Sequence, residues 1–85
     1  MYTISFKESA NKELQKLPKN VIAKIIPVIE RLANNPRPSG CKKLEGAKEN
    51  IYKVRVGDYR VIYLIEDIIK VVEIRKIGHR KEVYR

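Results

Sequence analysis

The stretch IYKVRVGDYRVIY, residues 51–63, decides how this chain folds. Apolar β-formers alternate with charged residues on either side of Gly57-Asp58, which reads as two strands joined by a tight hairpin. With Gly57 and Asp58 as the two loop residues, Val56 lies opposite Tyr59, Arg55 opposite Arg60, Val54 opposite Val61 and Lys53 opposite Ile62. Directly opposed residues share a face. One face then carries Tyr52, Val54, Val56, Tyr59, Val61 and Tyr63, suited to burial under helices. The other carries Lys53, Arg55 and Arg60 beside Ile51, Ile62 and Leu64. Like charges directly opposed destabilise a sheet by about 0.2–1 kcal/mol. A face that only meets water would mix its signs, so three converging cations point to an anion. Phosphate is the anion that best rewards Arg and Lys held on a rigid sheet.

The flanking segments complete an α+β domain. YTISF, residues 2–6, alternates as a strand. KESANKELQKL brings Ala10, Leu14 and Leu17 to helical spacing, and Pro18 closes that helix. A second helix is expected from Lys19 to Asn34, with Ile22, Ile25, Ile26, Ile29, Leu32 and Ala33 in one stripe. Pro27 predicts a kink or break in it near Ala23–Lys24. NNPRPSGCKKLEGAKEN reads as loop. YRVIYLI and IKVVEIRKI read as the last two strands, with a second tight hairpin at Glu66-Asp67. The expected architecture is one domain, residues 1–85, ordered β-α-α-β-β-β. Its two helices pack on one face of a mostly antiparallel four-stranded sheet. A two-residue loop at Glu66-Asp67 sets Glu73 opposite Arg60 and brings Arg75 to the same face. Glu73 is then the candidate neutraliser of the cationic patch.

Charge supports a polyanionic partner. Nineteen Lys and Arg against ten Asp and Glu leave a net charge of +9 over 85 residues. Hydrophobic residues make up 44% of the chain, enough for a folded core. No apolar run is long enough to span a bilayer, and MYTISFKESANKEL has no secretory h-region, so a cytoplasmic location and no membrane partner are expected. Cys41 is the single cysteine, with no companion for a disulfide or a metal site.

The chemistry narrows by residue type. Nucleases that hold Mg²⁺ need clustered carboxylates, whereas these acids are scattered. Neither a P-loop nor a Ser-His-Asp set is present. Metal-free, cofactor-free RNA cleavage remains: the 2′-OH attacks the adjacent phosphate while cations stabilise the phosphorane and a donor protonates the 5′-oxygen. The C-terminal IGHRKEVYR, with Gly78 permitting a turn, offers His79, Arg80, Lys81, Tyr84 and Arg85 to that site. His79 is the one side chain whose ordinary pKa lies near neutrality.

The opening strand with its paired helices, LEGAKENIYKVRVGDYRVIY and IGHRKEVYR, in this order and spacing, resemble a RelE/ParE-superfamily toxin of type II toxin–antitoxin systems, on its RelE branch. The resemblance covers nearly the whole chain. It implies a ribosome-dependent mRNA endoribonuclease, cutting message in the ribosomal A site and neutralised by an acidic RelB-like antitoxin. It also implies a toxin that is monomeric alone and hetero-oligomeric with its antitoxin. By the same resemblance Arg60 and Arg80 act on the scissile phosphate, and Lys53 and Arg55 in charge stabilisation or proton transfer. Tyr84 orients or stacks on a base and assists at the 2′-OH. Arg55 stands where a second Lys is usual, and its guanidinium stays protonated. His79 stands where some members have Lys, which makes it a candidate acid or base. Lys42, Lys43, Lys48, Lys81 and Arg85 are expected to contact ribosome or RNA rather than catalyse. A ParE-like inhibitor of DNA gyrase and a plain RNA-binding module are the alternative readings.

Overall fold

In a computed structural model, which describes residues 1–79 and Lys81, the elements run β1 (Thr3–Phe6), α1 (Glu8–Gln15), α2 (Lys19–Leu32), β2 (Lys42–Lys43), β3 (Ile51–Val56), β4 (Tyr59–Glu66) and β5 (Val71–His79). They form an α+β fold with one sheet of strand order β1-β5-β4-β3-β2. The sheet is antiparallel except where β1 runs parallel to β5. The sheet therefore has five strands rather than four. The additional strand, β2, lies in the segment expected to be loop. Its two lysines carry no apolar alternation, and β3 supplies its pairing, Lys42 with Lys53 and Lys43 with Tyr52.

Both helices lie on one face. α1 packs over β5 and α2 over β1 and β3. Ala10 and Leu14 from α1 and Ile25, Ile29 and Leu32 from α2 meet Val54, Val61, Tyr63, Ile65, Val72, Ile74 and Ile77 of the sheet in one core. Tyr52, Val56 and Tyr59 pack against its margin. Each fully buried aliphatic side chain contributes about 1.5–3 kcal/mol. α2 runs unbroken through Pro27, where a kink or break was expected. Pro27 and Ala23 both lie on the solvent side, so water can satisfy the carbonyl that the missing amide would have paired. Pro18 precedes the first residue of α2, where its fixed φ suits a helix start. α1 is fastened to the sheet by Glu13, whose Oε1 accepts the Ile77 amide at 3.1 Å.

The first hairpin has the expected register, with Val56 opposite Tyr59 and Arg55 opposite Arg60. Gly57 takes φ 60° as its first loop residue, a conformation that favours glycine. The second hairpin differs. Its loop is Asp67–Lys70, with Glu66 opposite Val71 and Lys70 at φ 56°. β5 also bulges: Ile62 pairs with Lys76 and Tyr63 with Ile74, leaving Arg75 as the extra residue. The later loop and the bulge together place Gly78, not Glu73, opposite Arg60. Glu73 instead lies opposite Leu64 and accepts from Arg75 Nε at 2.8 Å. Arg75 also pairs with Glu49 at 3.2 Å, and these two acids hold its guanidinium above its ordinary pKa, Glu73 foremost.

A polar clamp joins that second loop to residues 33–41. Arg37 grips Asp67 with both terminal nitrogens, at 3.2 and 2.9 Å, and Tyr2 donates its hydroxyl to the same carboxylate at 2.6 Å. Arg37 Nε donates to the Tyr52 hydroxyl at 3.1 Å, and its guanidinium sits 5.3 Å from the centre of the Tyr52 ring. Beneath it, Tyr63 donates to the Pro36 carbonyl at 2.9 Å, and burial pushes its phenol well above the ordinary range. The hydrogen bonds from Arg37, first, and Tyr2 lower the Asp67 pKa to about 2. Because the folded value is depressed, this bond favours the folded state above the ordinary value of 3.8 and is lost as pH falls toward about 2. A carboxyl-resolved NMR titration should give Asp67 a midpoint near 2, and Tyr2→Phe should move it up toward 3.8. A midpoint of 3.8 in the unaltered protein would mean that the clamp does not form in solution.

Tyr63→Phe tests the underside of the clamp. It leaves the buried Pro36 carbonyl without its donor and should cost about 1–3 kcal/mol in equilibrium unfolding. A change within about 0.5 kcal/mol would show that water replaces the phenol.

Candidate phosphate-binding site

The site follows from the first hairpin. Period-2 alternation turns Lys53, Arg55 and Arg60 away from the core that Val54, Val61 and Tyr63 enter from the same strands. Lys42, opposite Lys53 on β2, projects to the same side. Gly40, Lys42, Lys53, Arg55 and Arg60 line a pocket of about 220 Å³. Among the described residues four cations and one glycine make its wall. Arg55 Nε donates to the Gly57 carbonyl at 3.2 Å, and Arg60 Nη1 to the Tyr59 carbonyl at 3.2 Å. These bonds fix the direction of each guanidinium while leaving its other donors for a ligand. Among the described residues neither arginine forms an ion pair with an acid. Opposite Arg60 on β5 stands Gly78, which places no side chain beside the guanidinium.

Gly40 takes φ 90°, and a Cβ built there would meet nothing within 4 Å. Glycine is needed at this point for backbone conformation, not for space. It precedes Cys41 and Lys42, so the turn at Gly40 sets where the edge strand delivers its lysine. Sequence reasoning missed this contribution, as it missed the Arg37–Asp67 clamp behind it. A glycine in a Pro/Ser-rich segment was the one available signal.

The remaining expected residues divide. Lys43 pairs with Tyr52 and so lies on the opposite side of the sheet from Lys42. Lys48 is exposed and stands apart from the pocket wall. His79 does not join the cationic face, where the sequence had suggested it could fold. It lies opposite Tyr59, and the rings meet edge to face at 5.5 Å on the helix side of the sheet. The Arg75 bulge is the cause. It inverts the alternation of every later β5 residue, sending Ile77 into the core and His79 to the same side. His79 Nδ1 accepts from the Lys81 amide at 3.3 Å. Arg80, Tyr84 and Arg85 lie outside the described residues.

Chemically, the pocket can hold an oxyanion and stabilise added negative charge on it. The two guanidiniums are permanent cations with forked donors, and the lysines add mobile point charges. Residues 4–84 match the ParE toxin family of type II toxin–antitoxin systems, parDE, and the chain belongs to that family. Its relatives are RelE-like. It is 38% identical to toxin RelE of Mycobacterium tuberculosis over 85 residues, covering 99% of this chain and 87% of that protein. It is 32% identical over 87 residues to the putative toxin RelE1 of Methanocaldococcus jannaschii, covering 99% and 96% of the two chains. Among solved structures, RelE in the archaeal RelE–RelB complex from Pyrococcus horikoshii is similar at a TM-score of 0.83 and 33% identity, over 95% of this chain and 97% of that one. The isolated RelE toxin of Escherichia coli is similar at a TM-score of 0.82 and 31% identity, over 99% and 92%.

Arg60→Ala separates structural from functional use of the patch. It relieves the repulsion with Arg55 and strands no acid among the described residues, so stability should stay within about 0.5 kcal/mol or rise slightly. Affinity for single-stranded RNA should fall, and toxicity should be lost. A destabilisation above about 1 kcal/mol would make Arg60 a structural residue.

Proposed function

We propose that this chain is a ribosome-dependent mRNA endoribonuclease that cleaves message in the ribosomal A site, without a metal of its own. The observation that carries this reading is the pocket in which Lys42, Lys53, Arg55 and Arg60 converge, on a RelE-like chain. In the reaction the 2′-oxygen attacks the adjacent phosphorus and loses its proton to a base. The P–O5′ bond breaks, and the 5′-oxygen takes a proton. The products are a 2′,3′-cyclic phosphate and a 5′-hydroxyl. Arg60, with Arg80, binds the non-bridging oxygens and stabilises the charge that grows on them. Lys53 and Arg55 neutralise the phosphorane from the neighbouring strand. Guanidiniums hold their protons, so proton transfer falls to Lys53 and the C-terminal segment, where Tyr84 assists at the 2′-OH and orients a base. The placement of His79 against Tyr59, across the sheet, favours a supporting role for it rather than the proton relay.

The proposed neutralising partner is an acidic RelB-like antitoxin. Structural neighbours from Pyrococcus horikoshii and Escherichia coli are RelE chains in complex with RelB. A +9 chain attracts such a polypeptide, and a segment laid over the pocket would occupy the cations that RNA needs. Lys48, Lys81 and Arg85 would meet ribosomal RNA, whereas Lys43, on the other side of the sheet from the pocket, would stand clear of a strand bound there. The site of action is the cytoplasm. Among the described residues no helix is long and apolar enough to cross a membrane.

A second reading, a toxin that binds DNA gyrase and cuts nothing, is favoured by the family description itself, which is that of ParE. A plain RNA-binding module is disfavoured because Tyr52, Tyr59 and Tyr63 pack on the helix side, so that among the described residues the hairpin offers no stacking platform by the cations. End mapping on programmed ribosomes separates these readings. Fragments ending in 2′,3′-cyclic or 3′-phosphate, with 5′-hydroxyl partners, are expected. Fragments with 3′-hydroxyl and 5′-phosphate ends would overturn the 2′-OH route. Uncut message together with arrested gyrase would establish the ParE-like reading.

A further inference from the structure

We propose that Lys42, on the edge strand, binds the phosphate next to the one that reacts, so that β2 forms one wall of a groove for two successive phosphates. The inference rests on the RNA reading above and assigns the outer half of that site. Its starting point is the register. Lys42 lies opposite Lys53, and Arg55 opposite Arg60, so the four cations cross three strands diagonally. From β2 to β4 is two strand spacings, about 10 Å, and Arg60 lies two residues beyond Ile62, the partner of Lys53. Cations spread over that diagonal suit a run of phosphates better than a single one.

The pocket's size agrees. Its volume of about 220 Å³ equals the share of roughly seven liquid waters, more room than one tetrahedral oxyanion needs. Charge arrangement agrees as well. Opposing Lys42 to Lys53 repeats, one strand further out, the repulsion of Arg55 against Arg60. A two-residue edge strand made only of lysines contributes no core packing, yet it is held in place. Leu44 donates to the Ile51 carbonyl at 2.9 Å and Cys41 to the Pro38 carbonyl at 3.1 Å. Arg37, between the two prolines of this segment, is clamped to Asp67 and Tyr52. Lys43, its neighbour on the other side of the sheet, serves as the internal comparison.

The test uses the purified, folded chain and a short single-stranded RNA methylated at every 2′-oxygen, which cannot react. Affinity is measured against KCl concentration for the unaltered protein and for Lys42→Ala, Lys42→Arg and Lys43→Ala. For single strands each phosphate contact contributes about 0.7 to the slope of log K against log salt. Lys42→Ala should lower the slope by about 0.7, Lys42→Arg should restore it, and Lys43→Ala should change it by less than half as much. A Lys42→Ala slope equal to that of the unaltered protein, or an equal loss in Lys43→Ala, would overturn the assignment. Cleavage of message on ribosomes, followed in parallel, keeps the two claims apart. Cleavage with no slope change at Lys42 overturns this inference alone. A slope change in a protein that cuts nothing upholds Lys42 as a phosphate contact on the edge strand and overturns the nuclease reading.

Discussion

The two-residue loop at Gly57-Asp58 is the constraint on which the rest of this structure depends. It closes the hairpin so that Arg55 meets Arg60, and the same register sends Val54, Val61 and Tyr63 to the core. The two consequences cannot be separated. A slip of one residue would bury the arginines and expose the core side chains, at a cost far above the roughly 1 kcal/mol of one opposed cation pair. Burial of the apolar face thus enforces the repulsion on the other face. The hairpin is a rigid holder for charges that would otherwise separate, and an anion bound between them relieves the repulsion it meets.

The rest of the chain supports that holder. α1 and α2 cover the apolar face, and Glu13 caps an amide of β5 beyond the reach of β1. The clamp of Arg37, Asp67, Tyr2 and Tyr52 fixes the segment that leads from α2 to the edge strand, and Gly40 turns that segment toward the pocket. Three acids are engaged elsewhere. Glu73 and Glu49 hold Arg75, and Asp67 holds Arg37. Carboxylates tied to other cations are held back from the pocket. A +9 chain whose acids were free to swing would screen its own site.

How much of this was legible in the sequence depended on how local the determining contact was. The first hairpin was legible because a Gly-Asp loop and period-2 alternation lie within thirteen residues. The second was not. Ile68 and Ile69 look like strand residues, but they sit exposed in a loop whose ends are set by distant partners, Tyr2 and Arg37 on Asp67 and the Thr3 amide on the Lys70 carbonyl. The bulge at Arg75 carries no sequence mark, yet it decides that Gly78 stands opposite Arg60 and that His79 faces Tyr59, after the longer loop has already set Glu73 opposite Leu64. The edge strand was hidden because its pairing comes wholly from β3. The convergence of Lys53, Arg55 and Arg60 was therefore readable, and the place of His79 and of Lys42 relative to them was not.

The central claim is that the opposed arginines are an anion site held open by the fold. Equilibrium unfolding at fixed ionic strength, with chloride exchanged stepwise for inorganic phosphate, tests it most directly. An anion that binds only the folded state stabilises it along a saturating curve. The account predicts such a curve for the unaltered chain and a flat response when Arg55 and Arg60 are both replaced by Gln. Equal stabilisation of the two proteins by phosphate, or none in either, would contradict it.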